Sequence, residues 1–103
     1  MLIAAYNTYS FRGMVNQTLI QAFGRRIRQL RTARGLSQEE LSFQTGFHRT
    51  YIGMVERGER NISLSNIGVF AEAFEMSVSE LMGFSNQNPI STGIFESNTD
   101  RKN

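Results

Sequence analysis

Apolar residues recur along this chain at the spacing of helices. Between Thr18 and Arg34 they fall at Leu19, Ile20, Phe23, Ile27 and Leu30, an i, i+3, i+4, i+7 stripe that predicts an amphipathic helix. Thr18 offers an N-cap with Gln21 at the capping-box position, and Gly35 supplies a left-handed stop. A second helix follows Ser37, whose hydroxyl can cap it with Glu40 completing the box; Leu41 faces inward and Gln38 sits at the exposed start. Gly46 marks a tight turn. A third helix then runs from about His48 to Arg57, with Ile52 and Val55 at core spacing and Arg49, Thr50 and Gly53 on another face. Ser63 starts a fourth helix carrying Leu64, Ile67, Phe70, Ala71 and Phe74, with Gly68 as a point of close packing. Ser77 and Glu80 form a capping box for a last short helix that contains Val78, Leu81 and Met82, and Gly83-Phe84 closes the body. No period-two alternation of any length appears, and nothing repeats. The expected fold is all-α, a compact five-helix domain over residues 18–84.

The ends read differently. Residues 1–17 show no sustained period, with Tyr6, Tyr9 and Phe11 scattered among polar residues; they are expected to be a flexible arm, and Met14 is a second candidate start. Residues 85–103 are rich in Ser, Asn and Thr, hold the one proline (Pro89), and are expected to be a disordered polar tail. At 103 residues the chain has room for one small core. No stretch approaches the roughly 18 apolar residues of a membrane span. The start lacks a basic leader and a sustained apolar run, so no secretory signal is expected, and the absence of cysteine points to a cytoplasmic protein with no membrane partner.

Charge sharpens this picture. Net charge is only +2, but residues 1–60 hold nine Arg against four Glu, a balance of +5, while residues 61–103 balance at −3. A basic first half suits an anionic partner and leaves the second half for something else. The cations are ten Arg and one Lys. Arg makes bidentate contacts to phosphate and to guanine that Lys cannot, although an Arg-preferring genome gives the same bias. Catalysis lacks its parts. There is no Cys, and the one histidine, His48, has no acidic neighbour in sequence. The glycine patterns that cradle nucleotide phosphates are absent, as is any cluster with metal-ligand spacing. Glu39 and Glu40 point about 100° apart on a helix and share no site. No enzyme activity, cofactor, metal or small-molecule ligand is expected.

Leu36 to Gly58 is the unit that remains to be explained. A helix apolar behind, with an Arg and short polar groups in front, just after a Gly turn, suits reading of a DNA major groove. The pattern G-R-R-I-R-x-L-R-x-x-x-G-L-S-Q-E-E-L … Y-I-x-x-V-E-R-G-x-R-N-I-S-L, between Phe23 and Met82, resembles the phage-repressor-like helix-turn-helix family. The portion HRTYIGMVERGERNISLSNI is similar in particular to the controller proteins of bacterial restriction–modification systems.

That resemblance implies roles for particular residues. Arg49 and Thr50 match positions that face base edges, and Arg49 can take guanine O6 and N7 together or, alternatively, a phosphate. Gln38, Asn61 and Ser63 match phosphate-contacting positions. Tyr51 is either core edge or a phosphate contact. Arg31 and Glu56 match a buried ion pair that ties the first helix to the third. Three positions depart from the family pattern: Ser42 replaces the usual Ala, His48 replaces an Asp, Ser or Thr cap and is placed to reach the bases, and Gly53 is unusual inside a recognition helix, where close approach to the groove is its expected role. The family binds palindromic double-stranded DNA as a symmetric dimer, on half-sites about 34 Å apart. The apolar residues least needed by a monomer core, Ile67, Phe70, Val78, Met82 and Phe84, are the expected homodimer surface. The implied function is a transcription regulator, in its sharpest form a restriction–modification controller acting on its own operator. An antitoxin, a phage-type repressor and a protein-interaction adaptor without DNA are the alternatives.

Overall fold

The computed structural model describes the backbone of residues 2–84 and the side chains of residues 16–84. Among these there are five helices and no strand: α1 (Leu2–Ala33), α2 (Gln38–Thr45), α3 (Arg49–Glu56), α4 (Leu64–Ala73) and α5 (Val78–Leu81). The tail at 85–103 lies outside the described residues. One boundary departs from expectation. The first helix does not start at a Thr18 cap; helical backbone begins at Leu2 and Thr18 lies inside α1. A capping residue permits a start without compelling one, and no proline interrupts residues 2–17 to force it.

The shorter helices begin where side-chain acceptors are available. Ser37 Oγ accepts from the Glu40 amide at 3.0 Å, and Glu40 Oε1 accepts from the Ser37 amide at 2.7 Å. Ser77 and Glu80 repeat that reciprocal box at α5, and Ser63 Oγ accepts from the Asn66 amide at α4. Each such cap satisfies a backbone donor that the helix leaves open. Gly46 ends α2 in the left-handed region at φ 80°, where a side chain would be strained.

Packing joins all five helices in one core. Phe23 and Ile27 from α1 meet Leu41 of α2, Ile52 and Val55 of α3, Phe70 and Ala71 of α4, Phe74 at its end and Leu81 of α5. Phe23 and Phe70 pack edge to face at 6.1 Å between centroids. Two expectations on α4 fail. Leu64 is 77% exposed, because it is the first residue of α4, at the end farthest from the buried Phe70, Ala71 and Phe74. Spacing assigns a residue to a face but not to a depth. Gly68 has nothing within 4 Å of where a Cβ would stand, so it is no close-packing point. The tight approach is at Gly24, where a Cβ would lie 2.3 Å from the Val55 carbonyl oxygen.

The described arginines on and just after α1 are more structural than a solvated face would be. Arg26 donates to the carbonyls of Leu81 (3.0 Å) and Glu80 (2.8 Å), holding the end of α5. Arg34 donates to the Phe74 carbonyl at 3.0 Å and stacks over the Phe74 ring at 5.0 Å, holding the end of α4. Carbonyls at helix C-termini carry partial negative charge and lack helical partners, which is why guanidinium groups settle there. Arg25 and Arg28 remain exposed.

Candidate nucleic-acid interface

Two short helices and the turn between them are held from below. Thr45 Oγ1 accepts from the Phe47 amide at 3.1 Å, fixing the turn after Gly46. The Phe47 ring then lies 5.0 Å from Tyr51 and 5.1 Å from Phe70, so the turn is anchored to the core. Ile52 and Val55 bury the back of α3 completely. What that leaves in front is Arg49 and Thr50, both exposed on the first turn, beside exposed His48.

His48 takes the cap itself. Its Nδ1 accepts from the Thr50 amide at 3.1 Å, the job usually done by an Asp, Ser or Thr oxygen. An accepting Nδ1 places the ring proton of a neutral imidazole on Nε2 as a donor. Gly53 does not join this group. It is buried, and a Cβ there would meet Arg57 Nη1 at 3.2 Å and Gln38 Oε1 at 3.6 Å. Its missing side chain makes room for the Gln38 side chain of α2 and for Arg57 over α3.

Beneath lies an ionic joint. Arg31 donates through Nε to Glu56 Oε2 at 2.6 Å and through Nη2 to Oε1 at 3.0 Å, and the two side chains are 12% and 4% exposed. Arg31 Nη1 reaches the Leu36 carbonyl at 2.9 Å, and Gln38 Nε2 donates to Glu56 Oε1 at 3.1 Å. The hydrogen bond that Arg31 donates to Glu56 raises the Arg31 pKa, burial works against it, and the carboxylate charge adds to the rise. Paired and hydrogen-bonded charges of this kind specify geometry more than they add stability. Here they tie α1, the α1–α2 turn, α2 and α3 into one unit. Gln38 is therefore partly committed, with one N–H left to offer.

A second cluster gathers where α3 leads to α4. Tyr51 is half-buried: its ring packs on Phe47 while its hydroxyl accepts from Asn66 Nδ2 at 3.0 Å and keeps its own proton to donate. Its ring thus sits at the edge of the core. The Arg60 guanidinium lies over the Tyr51 ring, 5.5 Å from its centroid. Asn61 is exposed, and Ser63 is exposed with its oxygen engaged at the α4 cap. Sequence reasoning missed Arg60 and Asn66. The basic character of the turn was visible, but the Tyr51–Asn66 bond spans 15 positions and leaves no periodic signal. Arg57 was also missed. It is exposed and pairs with Glu59 through Nε–Oε2 at 3.0 Å and Nη2–Oε1 at 3.2 Å. That hydrogen bond lowers the Glu59 pKa and raises that of Arg57.

The expected dimer surface needs one correction. Phe70 is fully buried within its own chain, ringed by Phe23 and Phe47, and cannot meet a partner. Ile67, Met82 and Phe84 are half-buried against the core, and Val78 is 41% exposed. Leu64 stands three residues before Ile67, on the same side of α4.

Comparison with known proteins agrees with this architecture. A helix-turn-helix family model matches residues 27–81. The control protein C.BamHI of Bacillus amyloliquefaciens is 43% identical over 63 residues, covering 60% of this chain and 78% of the relative. The crystal structure of the restriction-modification controller protein C.AhdI from Aeromonas hydrophila superposes with a TM-score of 0.57 at 54% identity, over 61% of this chain and 94% of that one. A third structure is the controller protein C.Esp1396I, seen as a tetramer in complex with its natural 35 base-pair operator; it has a TM-score of 0.57 at 27% identity, covering 62% of this chain and 88% of that one.

Proposed function

The chain belongs to the helix-turn-helix family of transcription regulators, and from that premise we propose that it is a restriction–modification controller that binds its own operator as a homodimer. The observation that carries this reading is the first turn of α3. Arg49 and Thr50 are exposed there on a helix whose other side, Ile52 and Val55, has no exposed surface to spare. A rigid helix that offers a guanidinium and a hydroxyl from its N-terminal end is the form that enters a major groove. Arg49 reads guanine, a contact worth about 1–3 kcal/mol of discrimination. Thr50 and the Nε2–H of His48 read adjacent edges. Gln38, Tyr51, Asn61 and Ser63 hold phosphates on either side and set the register.

Palindromic recognition requires two copies. Leu64, Ile67, Val78, Met82 and Phe84 supply the apolar surface for pairing through α4 and α5, in the acidic half of the chain. No described helix is long and apolar enough to cross a membrane. The protein acts in the cytoplasm, on DNA, with no catalytic step.

The test is binding to the DNA just upstream of the gene, at several salt concentrations, with competitor present. Specific binding persists against competitor and weakens steeply with salt. Arg49→Ala removes sequence preference and retains non-specific affinity; a proportional loss on every sequence would put Arg49 on a phosphate instead. Sedimentation showing only monomer at micromolar concentration with operator present would rule out the dimer.

A further inference from the structure

The pair at the exit of α3 has a role that the base-reading end does not explain. Arg57 is the C-cap of α3, and Glu59 stands two residues on. Their side chains are 59% and 52% exposed, yet they meet in a two-point contact at 3.0 and 3.2 Å. An exposed ion pair of this kind contributes little to folding. Its position is more telling. Arg57 Nη1 and the Gln38 amide converge over Gly53, within 3.2 and 3.6 Å of where a Cβ would stand. Gln38 marks the side of the unit assigned to phosphate, and Arg60 and Asn61 continue the same turn beyond Glu59. The guanidinium is thus carried on the surface assigned to DNA, in a fork-to-fork arrangement that a phosphate reproduces.

We propose that Arg57 is a phosphate-contacting residue and that Glu59 is its internal competitor, occupying in the free protein the place that a DNA phosphate takes in the complex. The contact orients the guanidinium while cancelling its charge. On binding, Arg57 exchanges carboxylate for phosphate, and Glu59 is left facing a polyanion. Glu59 therefore holds affinity below what the arginines alone would give. For a regulator whose output depends on occupancy, that sets the protein concentration at which sites fill.

This inference rests on the DNA-binding reading, and a double-mutant cycle separates the two. The full chain, as wild type, Glu59→Gln, Arg57→Gln and the double variant, is titrated with two duplexes of equal length. One is the segment upstream of the gene and the other is unrelated in sequence. Glu59→Gln is expected to bind both duplexes roughly three- to tenfold more tightly at low salt, with a log–log salt slope steeper by about 0.9 per protomer. In the Arg57→Gln background the same change is expected to alter affinity by less than about twofold, because no guanidinium remains to be released. Equal gains in both backgrounds would make Glu59 a general repulsive charge and overturn the proposal, as would no gain in the wild-type background. If the wild type bound neither duplex, the DNA reading itself would fall, and this inference with it. Binding by the wild type with an additive cycle would refute the exchange alone.

Discussion

Gly24→Ala should destabilise this protein even though alanine is the better helix former. A methyl group at position 24 would stand 2.3 Å from the Val55 carbonyl oxygen, 2.8 Å from that of Glu56 and 3.0 Å from the Glu56 carbonyl carbon. All three obstacles are backbone, so no rotamer change relieves them. Ordinary contact requires α1 and α3 to part by about 1 Å, in an interior packed like a crystal. The displaced carbonyls belong to the last turn of α3, next to the Glu56 carboxylate that Arg31 holds at 2.6 Å, so parting the helices also loosens the buried pair. Overpacking costs about 1–3 kcal/mol. Loosening the pair adds a fraction of the roughly 3–5 kcal/mol that breaking one costs. The gain in helix propensity returns about 1 kcal/mol. The net expectation is a loss of roughly 2–3 kcal/mol, or a Tm lower by about 10–20 °C in a domain of this size. Urea and thermal unfolding followed by circular dichroism measure it. Gly68→Ala is the internal control: nothing lies within 4 Å of that Cβ, so the same chemical change on α4 should stabilise by about 0.5–1 kcal/mol. Equal or greater stability of Gly24→Ala would refute the close-contact argument, and stabilisation by both changes would show that helix propensity alone decides.

Two further substitutions test the joints around the recognition helix. Arg31→Met should cost about 3–5 kcal/mol by leaving the buried Glu56 carboxylate without its partner, and adding Glu56→Leu should recover most of that loss in urea unfolding; no recovery would mean the pair adds stability of its own. His48→Ala should lose about 0.5–2 kcal/mol by stripping the cap from α3, while His48→Asp should match or exceed the wild type; equal losses for both would show that the Nδ1 bond to Thr50 does not hold the helix start.

The split between what the sequence made legible and what it did not follows the range of the forces involved. Caps at Ser37, Ser63 and Ser77 were readable because donor and acceptor lie three residues apart, and the structure contains each of those bonds. Inward positions such as Ile27, Leu41, Ile52 and Leu81 were readable because helical period alone selects them. Periodicity fails where it must also report depth, which is how Leu64 and Phe70 came to be exchanged: one was expected in the core and is exposed, the other was expected at a partner and is buried. Gly68 fails as a close-packing point for a related reason. A glycine is informative through what passes close to it: nothing lies within 4 Å at Gly68, while at Gly24 and Gly53 the Val55 carbonyl and the Gln38 side chain come from 31 and 15 positions away in the chain, brought there only by packing.

The same distinction bears on how the candidate site works. Arg49 and Thr50 need little from the fold except exposure, so their chemistry was visible in the residue types themselves. Their aim depends on long-range joints. Arg31 reaches Glu56 across 25 positions, and Gln38 reaches it across 18. Arg26 and Arg34 bind carbonyls 40 to 55 positions away and brace α4 and α5 against α1. Positive charge in the first half of the chain is thus divided between gripping the protein's own helix ends and facing outward. Arg26, Arg31 and Arg34 are committed to contacts within the chain, Arg57 is paired with Glu59 in the free protein and, on the proposed exchange, reaches phosphate only by giving that pair up, and Arg60 rests on Tyr51. Arg49 is left as the exposed cation on the first turn of α3. Counting arginines therefore overstates the phosphate contacts available to DNA, and a salt slope well below the number of arginines in the first half is the expected signature of that division.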